Sequence, residues 1–162
     1  MTETDFWIMV EACHDTALND MELKCRLIHD AVAKLPEADA ADCVRWLDAA
    51  LARTYTWPLW GAAYVMNGGC GDDAFRDFRA CLISRGEAAV VQALADPDSL
   101  AEKAGDIESW FYEGYDVAIL NGARLSLGTL PARATYPAEP SGEKWAEDDV
   151  YALYPRLHEA YG

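Results

Sequence analysis

The chain is short of positive charge. Its 162 residues include 13 Lys and Arg against 28 Asp and Glu, which gives a formal net charge of −15. Binding to phosphate backbones or to anionic lipid headgroups needs clustered basic side chains, so this balance argues against nucleic acid and against a membrane as partners. It favours a basic protein or a cationic small molecule, although a solvated acidic surface alone also explains it.

Long apolar runs and paired cysteine motifs are also lacking. No segment approaches the ~18 apolar residues that a membrane span requires. The first residues are polar and acidic, unlike the basic start of a signal peptide. No C-x-x-C pair occurs among the five cysteines, Cys13, Cys25, Cys43, Cys70 and Cys81. These features predict a cytoplasmic protein with reduced thiols.

The alternation of polar and apolar residues that is typical of strands is rare, whereas helical spacing dominates. Val44, Leu47 and Leu51 form one such stripe. Gly68 and the glycine after it are expected to end a short buried helix, because glycine tolerates the left-handed conformation. The sequence therefore predicts an all-α fold, a single compact multi-helix domain.

Proline and glycine are concentrated near the C-terminus. We expect a helical core over residues 1–125, in which Leu100 to Leu120 form one helix with a bend at a glycine. Residues 126–146 contain three prolines, two glycines and few large apolar side chains, so they predict an extended strap or linker. Residues 147–162 predict a C-terminal helical segment that packs on the same domain.

The middle of the chain contains a long motif. It reads WPLWGAAY at 57–64, GGCGDD at 68–73 and DPDSL at 96–100. This combination resembles the bacterial domain-of-unknown-function 4240 family, which is frequent in actinobacteria. The sequences DFW at 5–7 and YPRL at 154–157 extend the resemblance towards both ends. Gly71 and Cys81 depart from it, since the family usually has Ser and Trp there. The resemblance implies a shared fold and no established reaction.

The Gly-rich junction at 68–73 is the place where we expect a site. It joins a buried helix to the N-terminus of the next one, where free N–H groups and the helix dipole would lower the pKa of a thiol at Cys70. The predicted ligand- or partner-binding residues are Trp60, Tyr64, Cys70, Asp72, Asp73 and Arg79. A purely structural interpretation is that Asp72 caps the helix, Asp73 complements its dipole and Arg79 holds a turn.

Three functions fit these residues. The leading hypothesis is a binding or interaction module whose acidic, aromatic-rich surface recognises a basic or cationic partner. A small hydrolase or tailoring enzyme is the alternative, with Asp72 or Asp73 as acid–base and Tyr64 or Arg79 orienting the substrate. An immunity-type inhibitor of a basic toxin would share the acidity. No catalytic residue is assigned.

Metal and cofactor motifs are weak. Cys25 and His29 share a helical face, and Cys13 and His14 lie one predicted helix earlier. A structural zinc site needs four ligands and tighter local pairing, so packing is the better explanation for Cys25. We predict no metal site and no cofactor.

Overall fold

The computed structural model describes residues 1–103 and 105–162, which fold into nine α-helices and two short 3-10 helices. The α-helices are α1 (Glu3–Ala17), α2 (Met21–Ala33), α3 (Glu37–Arg53), α4 (Trp57–Asn67), α5 (Asp72–Ile83), α6 (Glu87–Ala95), α7 (Tyr115–Leu127), α8 (Val150–Leu153) and α9 (Pro155–Tyr161). The prediction of an all-α fold is confirmed, since these residues contain no strand and one isolated bridge. None of the helices in the described residues has the length and apolarity needed to span a bilayer.

Helices α1, α2, α3 and α7 form the centre of the domain. Helix α2 packs along α7 and against α1, and α3 packs on α7. Gly122 permits the close approach of α2 and α7, because a Cβ at this position would lie 2.6 Å from the carbonyl oxygen of His29. Ile28, Val32 and Ile119 are completely buried in this region.

Side-chain caps begin the first two helices. Thr2 caps α1 and forms a reciprocal capping box with Asp5. Asp20 caps α2, and its side chain accepts from the N–H of Leu23. Each cap satisfies a backbone N–H that the first turn of a helix leaves free.

The predicted helix from Leu100 to Leu120 is wrong. This part of the chain forms a 3-10 helix at Pro97–Lys103 and another at Ile107–Trp110 before α7 begins. Gly114 has a φ of 127°, a conformation that side-chain-bearing residues rarely adopt. The apolar residues are therefore divided between separate short elements rather than presented by one long helix.

Residues 128–149 lie between α7 and α8, include most of the strap predicted at 126–146, and return across the start of α4. They are called the strap from here on. The N–H of Trp57 donates to the carbonyl of Ser141 (2.8 Å), and the N–H of Ser141 donates to the carbonyl of Tyr55 (3.0 Å). The indole Nε1 of Trp145 donates to the carbonyl of Trp57 (2.7 Å). The strap thus lies against the start of α4 through the N–H of Trp57, which a helix start leaves free, the carbonyl of Tyr55 and the side chain of Trp145.

The buried carboxylate of Asp98 holds the C-terminal helix. Its two oxygens accept the backbone N–H groups of Leu157 (2.9 Å) and Arg156 (3.2 Å). The guanidinium of Arg156 also donates to Asp98 and to Glu102. The DPDSL and YPRL motifs are therefore partners, because one caps the helix that the other begins.

Candidate functional site

Trp60 stands in a row of stacked rings at the start of α4. Its ring is almost parallel to that of Trp57, with centroids 5.3 Å apart, and to that of Phe75, at 4.8 Å. Its Nε1 donates to the carbonyl of Cys70 (2.9 Å). Stacking and this hydrogen bond together fix α4, the Gly-rich junction and α5 relative to one another.

Tyr64 lies one turn further along α4 and contacts the C-terminal part of the chain. Its ring centroid is 5.0 Å from that of Trp145 and 6.2 Å from that of Tyr151. Its hydroxyl donates to the carboxylate of Glu147 (3.3 Å). Burial, followed by this carboxylate, raises the pKa of Tyr64. Tyr64 therefore belongs to a surface that the strap and α8 complete.

We call this surface the aromatic–acidic face. It consists of five half-buried rings and three exposed carboxylates: Trp57, Trp60, Tyr64, Trp145 and Tyr151, with Glu143, Glu147 and Asp149. A cavity of about 530 Å³ lies beside it, lined by residues that include Trp145, Tyr154 and Asp149. Sequence reasoning did not name Trp145 or Tyr151. The sequence feature that could have indicated this surface is the single tryptophan in a segment otherwise poor in large apolar residues.

A cation already occupies one ring of the face. The Nζ of Lys144 lies 4.9 Å from the centroid of the Trp57 ring. The π face of an indole attracts an ammonium ion at such distances. Lys144 is exposed and belongs to the strap, so the contact is made between the strap and α4.

Cys70 differs from the expectation of a reactive thiol. Burial raises the pKa of Cys70 to about 12, and the nearby carboxylates of Asp77 and Asp72 act in the same direction. The cysteine precedes the helix rather than sitting in its first turn, so the helix dipole does not compensate for desolvation. Its contribution to the site is the carbonyl that accepts from Trp60.

Asp72 and Asp73 are exposed in the first turn of α5. Gly71 occupies the N-cap position, so Asp72 is the first helical residue and does not cap the helix with its side chain. Both carboxylates complement the helix dipole. The Nε of Arg76, one turn further along α5, donates to Asp116 (2.9 Å) and not to either of them.

Arg79 lies in the core, with 1% of its surface exposed. Its Nη1 donates to the carbonyl of Leu51 at the end of α3 (2.7 Å). The rings of Tyr55, Phe75 and Tyr136 lie 4.7, 4.8 and 5.5 Å from its guanidinium carbon. Arg79 is thus buried inside the domain, and of the six predicted residues Trp60 and Tyr64 belong to the aromatic–acidic face.

Asp77 is the carboxylate near the Gly-rich junction whose pKa is shifted most. Burial raises its pKa to about 6, and Glu113, Asp116 and Asp73 add repulsion. Neither Asp72 nor Asp73 lines any of five cavities of about 200 to 530 Å³ in the described part of the chain. The acid–base roles suggested for these two residues thus gain no support from these five cavities.

The cysteine and histidine residues of α1 and α2 do not converge. Cys25 and His29 line one cavity, but His29 contacts Asp30 and Cys13 is buried in the core. Within residues 1–103 and 105–162, no group of three or more His, Cys, Asp or Glu side chains is arranged to hold a metal ion.

Comparison with known proteins gives one finding. No curated protein and no solved structure matches the chain. The family described as "Protein of unknown function (DUF4240)" matches residues 1–121, which include α1 to α6, the Gly-rich junction and the DPDSL motif, whereas the strap and the YPRL motif lie beyond the match. Since this match covers well over half of the chain, the protein belongs to the DUF4240 family.

Proposed function

We propose that this protein is an interaction module that binds a basic or cationic partner on its aromatic–acidic face. The observation that carries the proposal is the contact of the Lys144 ammonium with Trp57, beside a cavity whose lining includes Trp145 and Asp149. Aromatic rings with carboxylates at their rim suit a lysine or arginine side chain, since the ring attracts the cation and the carboxylate neutralises it.

Long-range charge supports the same partner. A net charge of −15 on 162 residues attracts a basic protein and accelerates its association at low salt. Asp72 and Asp73 add two exposed carboxylates on the neighbouring helix. A partner rich in phosphate would be repelled by the same field, so nucleic acid and anionic membranes are outside the proposal.

The setting we infer is the bacterial cytoplasm. All five cysteines are free thiols, and Cys13, Cys43 and Cys81 are buried as small apolar groups. Free buried thiols suit a reducing compartment. A basic toxin is one partner of the proposed chemistry, which keeps the immunity-type inhibitor within the same hypothesis.

The test is calorimetric titration with oligo-lysine and oligo-arginine peptides, with oligo-glutamate as the negative probe. The variant Glu143→Gln/Asp149→Asn removes two carboxylates from the face. The control Asp15→Asn/Glu37→Gln removes two exposed carboxylates elsewhere, so both variants have the same net charge. The face variant is expected to weaken binding by up to about tenfold, because each rim carboxylate contributes ~0.7 kcal/mol.

Two outcomes would contradict the proposal. One is that neither basic peptide binds the folded wild-type protein. The other is that both variants lose the same affinity, because binding would then follow net charge and not the face. Circular dichroism of each variant establishes that it is folded before the titration.

A further inference from the structure

We propose a second binding site, for a small oxyanion that bears a phosphate or carboxylate group, in the cavity between α3, α5 and the strap. This cavity has a volume of about 200 Å³, and its lining includes Asp48, Arg76, Arg133, Thr135 and Tyr136. None of the residues that line it belongs to the aromatic–acidic face. It would bind an anion, whereas that face would bind a cation.

Two guanidinium groups are held in place at this cavity by buried carboxylates. The Nε and Nη2 of Arg133 donate to Asp48, and the backbone N–H of Ala134 donates to the same carboxylate (2.9 Å). The Nε of Arg76 donates to Asp116 (2.9 Å). Asp48 and Asp116 are 8% and 3% exposed. Arginines anchored in this way lose little conformational freedom when they bind a ligand.

Each anchored arginine keeps donors that its carboxylate does not use. Within the described residues, no hydrogen bond involves Nη1 of Arg133 or either terminal nitrogen of Arg76. Both side chains are partly exposed, at 36% and 39%. The planar fork of a guanidinium matches two oxygens of a phosphate or a carboxylate, which favours these anions over a spherical ion.

The charged groups at and beside the cavity include three guanidinium groups. Arg133 with Asp48 and Arg76 with Asp116 are neutral pairs. Arg79 adds a third guanidinium, and among the described residues no carboxylate lies within ion-pair distance of it and its Nε has no hydrogen-bond partner. Arginine keeps its proton, so the charge of Arg79 stays buried, and within the described residues it is offset by aromatic rings and the carbonyl of Leu51 rather than by an ion pair.

Tyr136 connects the buried charge to the cavity. Its ring lies 5.5 Å from the guanidinium carbon of Arg79, and the same residue lines the cavity. An oxyanion bound in this cavity would lie near Arg79 as well as near Arg76 and Arg133. The same anion would therefore satisfy two free forks and offset one buried cation.

The experiment is a titration of the full chain with inorganic phosphate and, separately, with malonate. Sodium chloride keeps the ionic strength constant, and amide chemical shifts of residues 133–136 report binding. The variant Arg76→Gln/Asp116→Asn removes one arginine together with its carboxylate, and Arg133→Gln/Asp48→Asn does the same on the other side. Arg76→Lys keeps the ion pair and loses the fork. Arg124→Gln, an exposed arginine on α7, is the control.

Saturable shifts with phosphate, malonate or both are expected. The anion that binds more tightly identifies the phosphoryl or the carboxylate class. Each folded variant at the cavity is expected to bind at least about tenfold more weakly, and the control to bind like the wild type, because a charge-assisted fork contributes ~1.4 kcal/mol or more. The proposal is overturned if neither anion gives saturable shifts beyond those of chloride, or if the folded variants retain wild-type affinity.

Discussion

Lys24 offers the sharpest test of the energetics of this fold. It lies on α2 with none of its surface exposed, and its Nζ donates to the hydroxyl of Ser84 (3.2 Å). Ser84 gives its own proton to the carbonyl of Cys81 (2.6 Å). Among the described residues, no carboxylate forms an ion pair with Lys24, and Arg85 is close enough to repel it. The charged form of Lys24 is therefore unfavourable in the folded protein.

The size of this destabilisation follows from the pKa shift of Lys24. Burial, and then the charge of Arg85, lowers the pKa of Lys24 from 10.5 to about 8. Because the folded pKa is below the unfolded one, the unfolded chain binds more protons between these values, and the stability contribution of this group rises with pH across that window. The penalty is about 3 kcal/mol at pH 7 and about 1 kcal/mol at pH 9.5.

Lys24→Met removes the charge and keeps an unbranched chain of similar length beside Met21. Ser84 retains its bond to Cys81 and loses one donor, at a cost of up to about 1 kcal/mol. We expect the variant to be about 2 kcal/mol more stable than the wild type at pH 7, with a difference close to zero at pH 9.5.

Urea denaturation of both proteins under reducing conditions at the two pH values measures this difference. Burial also raises the pKa of several cysteines, which lowers the stability of both proteins at high pH and cancels in the comparison. Lys34→Met, at an exposed lysine, is the control, and its effect is expected to stay below about 0.5 kcal/mol at both pH values. A less stable Lys24→Met protein at pH 7, or a stability difference that is the same at both pH values, would refute the reasoning.

Three further perturbations test separate features. Gly122→Ala is expected to lower the free energy of unfolding by about 1–3 kcal/mol in urea titrations, since its Cβ would meet the His29 carbonyl at 2.6 Å; an unchanged midpoint would contradict the close packing of α2 and α7. Asp98→Asn is expected to cost about 1–3 kcal/mol because it weakens the cap of α9, whereas Glu102→Gln, at an exposed carboxylate that binds the same arginine, should change stability by less than about 0.5 kcal/mol; equal losses would show that the cap is not the cause. Cys70, whose pKa burial raises to about 12, is expected to react with a disulfide reagent at pH 8 much more slowly in the native protein than in urea, and a fast thiol that disappears in Cys70→Ser would contradict this.

Local signals account for much of the helical framework. Helix α4 ends at Gly68, which has the left-handed conformation that its place after an apolar run predicts. Leu100 to Leu120 is the counterexample: its residues have helical spacing, but Gly114 and the packing of Trp110 into the core divide the segment. Periodicity indicates which side chains are buried more reliably than it indicates where one helix ends.

The sequence by itself determined the helical class, most turns and the carboxylates at helix starts, because these depend on hydrogen bonds and side-chain spacings within a few residues. Only the tertiary structure decided that the strap returns to α4, where Trp145 meets Tyr64 across 81 positions of the chain. It also decided that Arg79 and Lys24 are buried, with no carboxylate partner in the part of the chain that the structure describes, while Asp72 and Asp73 remain exposed. The physical reason is that the burial of a charge depends on which helices pack around it, and the spacing of residues along one helix does not specify its neighbours.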